Sequence, residues 1–179
     1  MHSTLARTLA LLASLVCVSA TSAERPPLIA TKGKLTGTKF CEAYQCRLLA
    51  DGVDNRTFQN VQTYSLQKYP AVRINLPRKG SDGRDNRFGT LTVSWNANPA
   101  RLTRKDFEFT SSFVEELLGA DAAKGFDAWA LCESARKAPN GMALGPTLAS
   151  DSIGFAVSSR CGIDSKQIVL SLFVLRQPE

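Results

Sequence analysis

The chain is nearly devoid of histidine: its single imidazole belongs to His2, inside an apolar leader. Removal of that leader would exclude a Ser–His or Cys–His nucleophile pair, a histidine proton shuttle near neutral pH and a histidine-ligated zinc. No C-x-x-C occurs, so a thioredoxin-like redox motif is excluded as well. No apolar run reaches the ~20 residues that a membrane-crossing helix needs. Internal repeats and low-complexity tracts are also absent.

The leader reads as a secretion signal spanning residues 1–23. Arg7 is its positive end, Leu9 to Val18 its apolar stretch, and Val18-Ser19-Ala20 and Thr21-Ser22-Ala23 both fit a cleavage site. A lipid anchor on Cys17 is set aside, because bulky Val16 stands where a small residue is expected. The expected location is therefore periplasmic or secreted. Residues 24–38, with Glu24-Arg25-Pro26-Pro27 and Lys32-Gly33-Lys34, read as a flexible entry segment, and residues 39–179 as a single domain.

Four cysteines remain beyond the leader, an even number in a chain bound for an oxidising compartment. Three pairings are open. The expected one joins Cys41 to Cys46 in a small local loop and Cys132 to Cys161 across a helix and a strand. A four-thiolate zinc site is disfavoured because the second half lacks paired close spacing.

Apolar spacing at Phe40, Tyr44, Leu48 and Leu49 predicts a short helix over 40–50 that carries Cys41 and Cys46, ended by Asp51-Gly52. Alternation predicts strands at Val72-Ile74-Leu76 and Leu91-Val93-Trp95, with a less regular one near 58–66. The Trp95 indole N–H needs a partner if buried, which suggests a place near the sheet edge. Thr103 and Asp106 form a variant capping box ahead of a helix whose Phe107, Phe109, Phe113, Val114, Leu117 and Leu118 share one arc, with Gly119 as its stop. A second helix is expected over 121–137, weakened by Gly125 and closed by Pro139-Asn140-Gly141. Ile153, Phe155, Val157 and Cys161 share one face of a strand. Residues 168–175 are apolar apart from Ser171, as in a central strand covered on both faces. The expected class is α+β: a mainly antiparallel sheet with two to three helices packed on one face, stabilised by disulfides.

Charge is unevenly spread. Residues 24–105 hold 15 Lys/Arg against 6 Asp/Glu, whereas residues 106–179 hold 6 against 10. A basic half steers toward an anionic partner. The densest cluster is Arg78, Lys79, Arg84 and Arg87, between the two clear strands; with Arg73 on the preceding strand these are the candidate binding residues. The plainer reading is a solvated surface, partly offset by Asp82 and Asp85. Nucleic acid is disfavoured, since no aromatics are interleaved for base stacking. Calcium at Asp82-Gly83-Arg84-Asp85-Asn86 is opposed by the arginines. No cofactor or metal is expected.

For catalysis, Glu115 and Glu116 point about 100° apart on a helix, and Glu108 and Glu115 share its polar face. Ser65-Leu66-Gln67-Lys68 matches S-x-x-K, but in strand-like sequence and without its companion motifs. Asn55-Arg56-Thr57 fits a glycosylation sequon. The expected function is a non-enzymatic binding module that engages a protein or an anionic envelope component, such as a lipid headgroup or acidic glycan. Its working surface would be the polar sheet face around Arg73, Asn75, Thr90 and Thr92 together with the basic loop. The alternatives are a small hydrolase using paired carboxylates and a structural envelope protein.

Overall fold

A computed structural model describes residues 27–30, 34–54, 59–77, 90–150 and 155–176. Seven strands form one antiparallel sheet in the order β1-β2-β3-β4-β7-β6-β5. They are β1 Cys46–Asp54, β2 Gln59–Leu66, β3 Tyr69–Pro77, β4 Thr90–Trp95, β5 Met142–Ser150, β6 Phe155–Ile163 and β7 Ile168–Arg176. Strands β1 to β4 form one meander and β5 to β7 a second, whose last strand closes onto β4. Helices α1 Lys39–Tyr44, α2 Phe109–Leu118, α3 Ala120–Ala123 and α4 Ala128–Lys137 complete an α+β domain.

Alternation decides which face is buried. Val72, Ile74, Leu91, Val93, Trp95, Ile168, Leu170 and Leu172 are each at most 6% exposed, all on the helix side, where Phe109, Phe113 and Leu117 meet them. Trp95 is the largest side chain of this core. It stacks on Phe107 with centroids 4.3 Å apart, and its Nε1–H donates to the Asp106 carbonyl at 2.8 Å. That carbonyl belongs to a short 3-10 turn, Arg104–Phe107, in which the Asp106 carboxylate accepts from the Thr103 N–H at 2.7 Å and the Thr103 hydroxyl at 2.9 Å. Trp95 therefore sits in the middle strand rather than at the sheet edge, because the turn before α2 brings a partner to its indole.

Several expectations change. The helix expected over 40–50 ends at Tyr44: Gln45 adopts a left-handed conformation (φ 55°), and Cys46 opens β1. Pairing with β2 outweighs the helical spacing of Leu48 and Leu49, and the ladder takes a bulge between Leu48 and Ala50. The helix expected over 121–137 is two pieces. Gly125 at φ 79° breaks it, and Asp127 caps α4 by accepting from the Ala130 N–H. Strand β5 has no counterpart in the sequence reading. Strand β7 is internal as expected, but the helices cover only one of its faces; on the other, Ser171 is buried among its neighbours while Val169 and Phe173 are half-buried. Within the segment expected to be a flexible entry, Ile29 and Leu35 are buried, Leu35 completely.

The disulfides pair as expected. Cys41–Cys46 staples α1 to β1, with Cα atoms 4.7 Å apart, and Cys132–Cys161 ties α4 to β6 across the core at 5.2 Å. Among the described residues no helix is long and apolar enough to cross a membrane.

Candidate binding face

The face of the sheet turned away from the helices is polar, and the ladder register fixes its composition. One rung reads Arg47–Ser65–Arg73–Ser94–Val169–Gly162–Met142 from β1 to β5. The next reads Ala50–Thr63–Asn75–Thr92–Ser171–Arg160–Leu144. Small hydroxyl and amide side chains hold the middle. Asn75 joins three strands, accepting from the Thr63 hydroxyl at 2.8 Å and donating through Nδ2 to the Thr92 hydroxyl at 3.1 Å.

Three arginines stand on this face, and none of its described side chains is a carboxylate. Arg73 is held in place by its own strand, since Nη1 donates to the carbonyls of Pro70 and Val72, both at 2.7 Å. Its other guanidinium edge makes no bond among the described residues. The Arg160 guanidinium lies over the Phe173 ring at 5.0 Å, a cation–π contact that lays a charged plane on the sheet surface. Arg47 is exposed on edge strand β1. Arg47 and Arg73 lie two strands apart, about 10 Å by ordinary strand spacing. Arg73 and Arg160 are three strands and one rung apart, about 16 Å.

The register brings Arg73, Asn75, Thr90 and Thr92 together on this face, as alternation implied. The helical spacing of residues 40–50 hides Arg47 from the sequence reading, which also misses Arg160, although the Val157/Cys161 alternation places it opposite the core. Arg78, Lys79, Arg84 and Arg87, with the Asp82–Asn86 stretch and Asn55-Arg56-Thr57, lie outside the described residues.

The helix side contains a cleft of about 190 Å³, lined by Phe107, Phe126 and Trp129 with Arg104, Glu108 and Asp127 among its polar groups. Two carboxylates in one cleft is the arrangement a glycosidase would need. Here, however, both oxygens of Asp127 are engaged: Oδ1 accepts from the Ala130 N–H at 3.0 Å, and Oδ2 accepts from Arg104 at 2.6 Å. That carboxylate caps a helix. Glu116 is also structural, accepting from the Phe40 N–H at 3.2 Å. Ser65 faces the open side of the sheet, whereas the Lys68 ammonium lies over the Tyr44 ring at 5.8 Å on the helix side, so S-x-x-K forms no catalytic pair. Phe113 and Leu117 are core, at 0% and 2% exposure. Among the described residues no three His, Cys, Asp or Glu side chains converge as metal ligands.

The chain matches no family model, no curated protein and no solved structure. What the protein does must therefore be argued from its own surfaces, of which the open sheet face has the most one-sided chemistry.

Proposed function

We propose that this protein is a non-enzymatic binding module of an extracytoplasmic compartment, and that it engages an anionic envelope component through the open face of its sheet. The observation that carries this reading is the charge of that face: Arg47, Arg73 and Arg160 without a carboxylate among its described side chains. Cations gathered on one face of a sheet attract an anionic partner over a Debye length and form charge-assisted hydrogen bonds on contact. Arg73 is held ready for this by its two backbone carbonyls, so less side-chain entropy is lost on binding. The two disulfides suit an oxidising compartment. The segment joining β3 to β4 adds Arg78, Lys79, Arg84 and Arg87 in sequence and belongs to the same proposal.

The test is binding of fluorescent dextran sulfate, a soluble polyanion, followed by anisotropy across a salt series. Arg47→Glu/Arg73→Glu/Arg160→Glu should abolish binding. A control with the same change in net charge on exposed positions elsewhere, Arg101→Glu/Lys105→Glu/Lys137→Glu, should retain most of it. Equal loss in both variants would mean that net charge, not this face, drives association, and would overturn the proposal.

A further inference from the structure

The open face carries one feature that charge alone does not explain. On edge strand β5, Leu144 is 83% exposed and Met142 46% exposed, the first directly opposite Arg160 and the second in the rung of Arg73. The backbone next to Leu144 is closely packed. The ladder bulges between Leu144 and Thr147, and Gly145 packs so closely on Leu131 and Ser159 that a Cβ there would collide with both. The Ser159 hydroxyl fastens the bulge by donating to the Pro146 carbonyl at 2.9 Å. The open face thus presents two bare aliphatic side chains on edge strand β5, beside the strand that carries Arg160.

Resting on the reading above, we infer that the partner is the surface of an anionic lipid bilayer. The arginines meet headgroup phosphates while Leu144 and Met142 enter the boundary between headgroups and acyl chains. Cationic side chains and exposed aliphatic groups on one face are the two signals that peripheral membrane attachment combines. An acidic glycan would give Leu144 no apolar environment. It would also look for an open aromatic ring, whereas the one ring among the described side chains of this face, Phe173, is half-buried under the Arg160 guanidinium. A second copy pairing along β5 is opposed by the bulge and by Pro146, which interrupt the row of edge donors.

The experiment is co-sedimentation of the protein, in the form the expressing cell leaves it, with two vesicle preparations. One holds equal parts phosphatidylglycerol and phosphatidylcholine; the other is phosphatidylcholine alone. Binding is expected to the anionic vesicles only. Leu144→Ser/Met142→Ser should weaken it at least tenfold, since even one aliphatic side chain transferred from water is worth about that factor, with an unchanged circular dichroism spectrum. Anionic-vesicle binding that the double variant leaves intact would overturn the inference. So would a concentration-dependent dimer that Leu144→Ser disperses. Arginine-dependent binding of dextran sulfate without vesicle binding would overturn the lipid assignment and leave the anionic-partner reading standing. Loss of both would bring down the two together.

Discussion

The two faces of the sheet follow the same ladder yet hold opposite chemistry. Toward the helices, Trp95, Tyr64, Ile74, Leu170 and Leu172 are almost wholly buried, and the polar groups among them have partners: Trp95 Nε1–H reaches the Asp106 carbonyl, and the Tyr64 hydroxyl donates to Gln62 at 2.7 Å. On the other side the same strands present Thr63, Asn75, Thr92 and Ser171 with three arginines. The difference separates stability from recognition. The covered face gains from removal of apolar area from water, whereas the open face carries exposed cations, Arg47 and Arg160, whose charge remains available to a partner. A substitution should therefore change folding or binding according to the parity of its position.

The largest effect should come from the covered face. Trp95→Ala removes the ring that stacks on Phe107 and orphans the Asp106 carbonyl, and should cost about 3–5 kcal/mol in urea unfolding. Next come the staples. By chain entropy alone, loss of Cys132–Cys161, 29 residues apart, should cost about 3.5 kcal/mol, and loss of Cys41–Cys46, five apart, about 2. Melting temperatures of the two double-serine variants should keep that order; the reverse order would show that the Cys41–Cys46 loop stabilises through native packing instead.

On the open face, Asn75→Ala breaks two neutral hydrogen bonds in a half-buried rung and should cost about 1–2 kcal/mol. A loss as large as that of Trp95→Ala would erase the distinction between the faces. A pH titration probes the covered face again. Burial, the largest cause, with the nearby Asp51 charge, raises the Tyr64 hydroxyl above its ordinary 10.0 despite an opposing backbone hydrogen bond, and burial also raises Tyr69. The folded state thus favours the protonated phenols. Their stabilising effect is whole below pH 10, where the unfolded chain is still protonated, and is lost as the pH climbs from there through the folded values. Tyr64→Phe should make that alkaline loss shallower. Smallest of all for folding, Arg47→Glu on the exposed edge strand should change stability by less than about 0.5 kcal/mol while weakening polyanion binding. Stability and binding lost together would contradict the parity rule.

Much of this was legible in the chain. Period-2 alternation marks β3 and β4, and the same alternation sets Arg73, Asn75, Thr90 and Thr92 opposite the core. Helix α2 is marked by its arc of phenylalanines and by Gly119 at φ 95°. The misreadings share a cause. Residues 40–50 carry helical spacing, but pairing of Cys46–Asp54 with β2 supplies backbone hydrogen bonds that a short isolated helix could not match. Strand β5 has Gly145 and Pro146 at its centre, so local propensity argues against it; its ladder with β6 and its packing on Leu131 form it nevertheless. Arg47 was hidden by the first misreading and Met142 and Leu144 by the second.

The sequence by itself determined the class of the domain, the cysteines available for pairing, the scarcity of histidine and the inward face of each regular strand, because composition and periodicity are local properties. Only the tertiary structure decided that β4 lies beside β7 and that β5 is an edge. It also brought arginines from β1, β3 and β6 onto one face of the sheet, with Leu144 opposite Arg160. Those facts depend on which strands pair across long stretches of chain. Pairing is settled by the shared burial of side chains far apart in sequence, which no local pattern encodes.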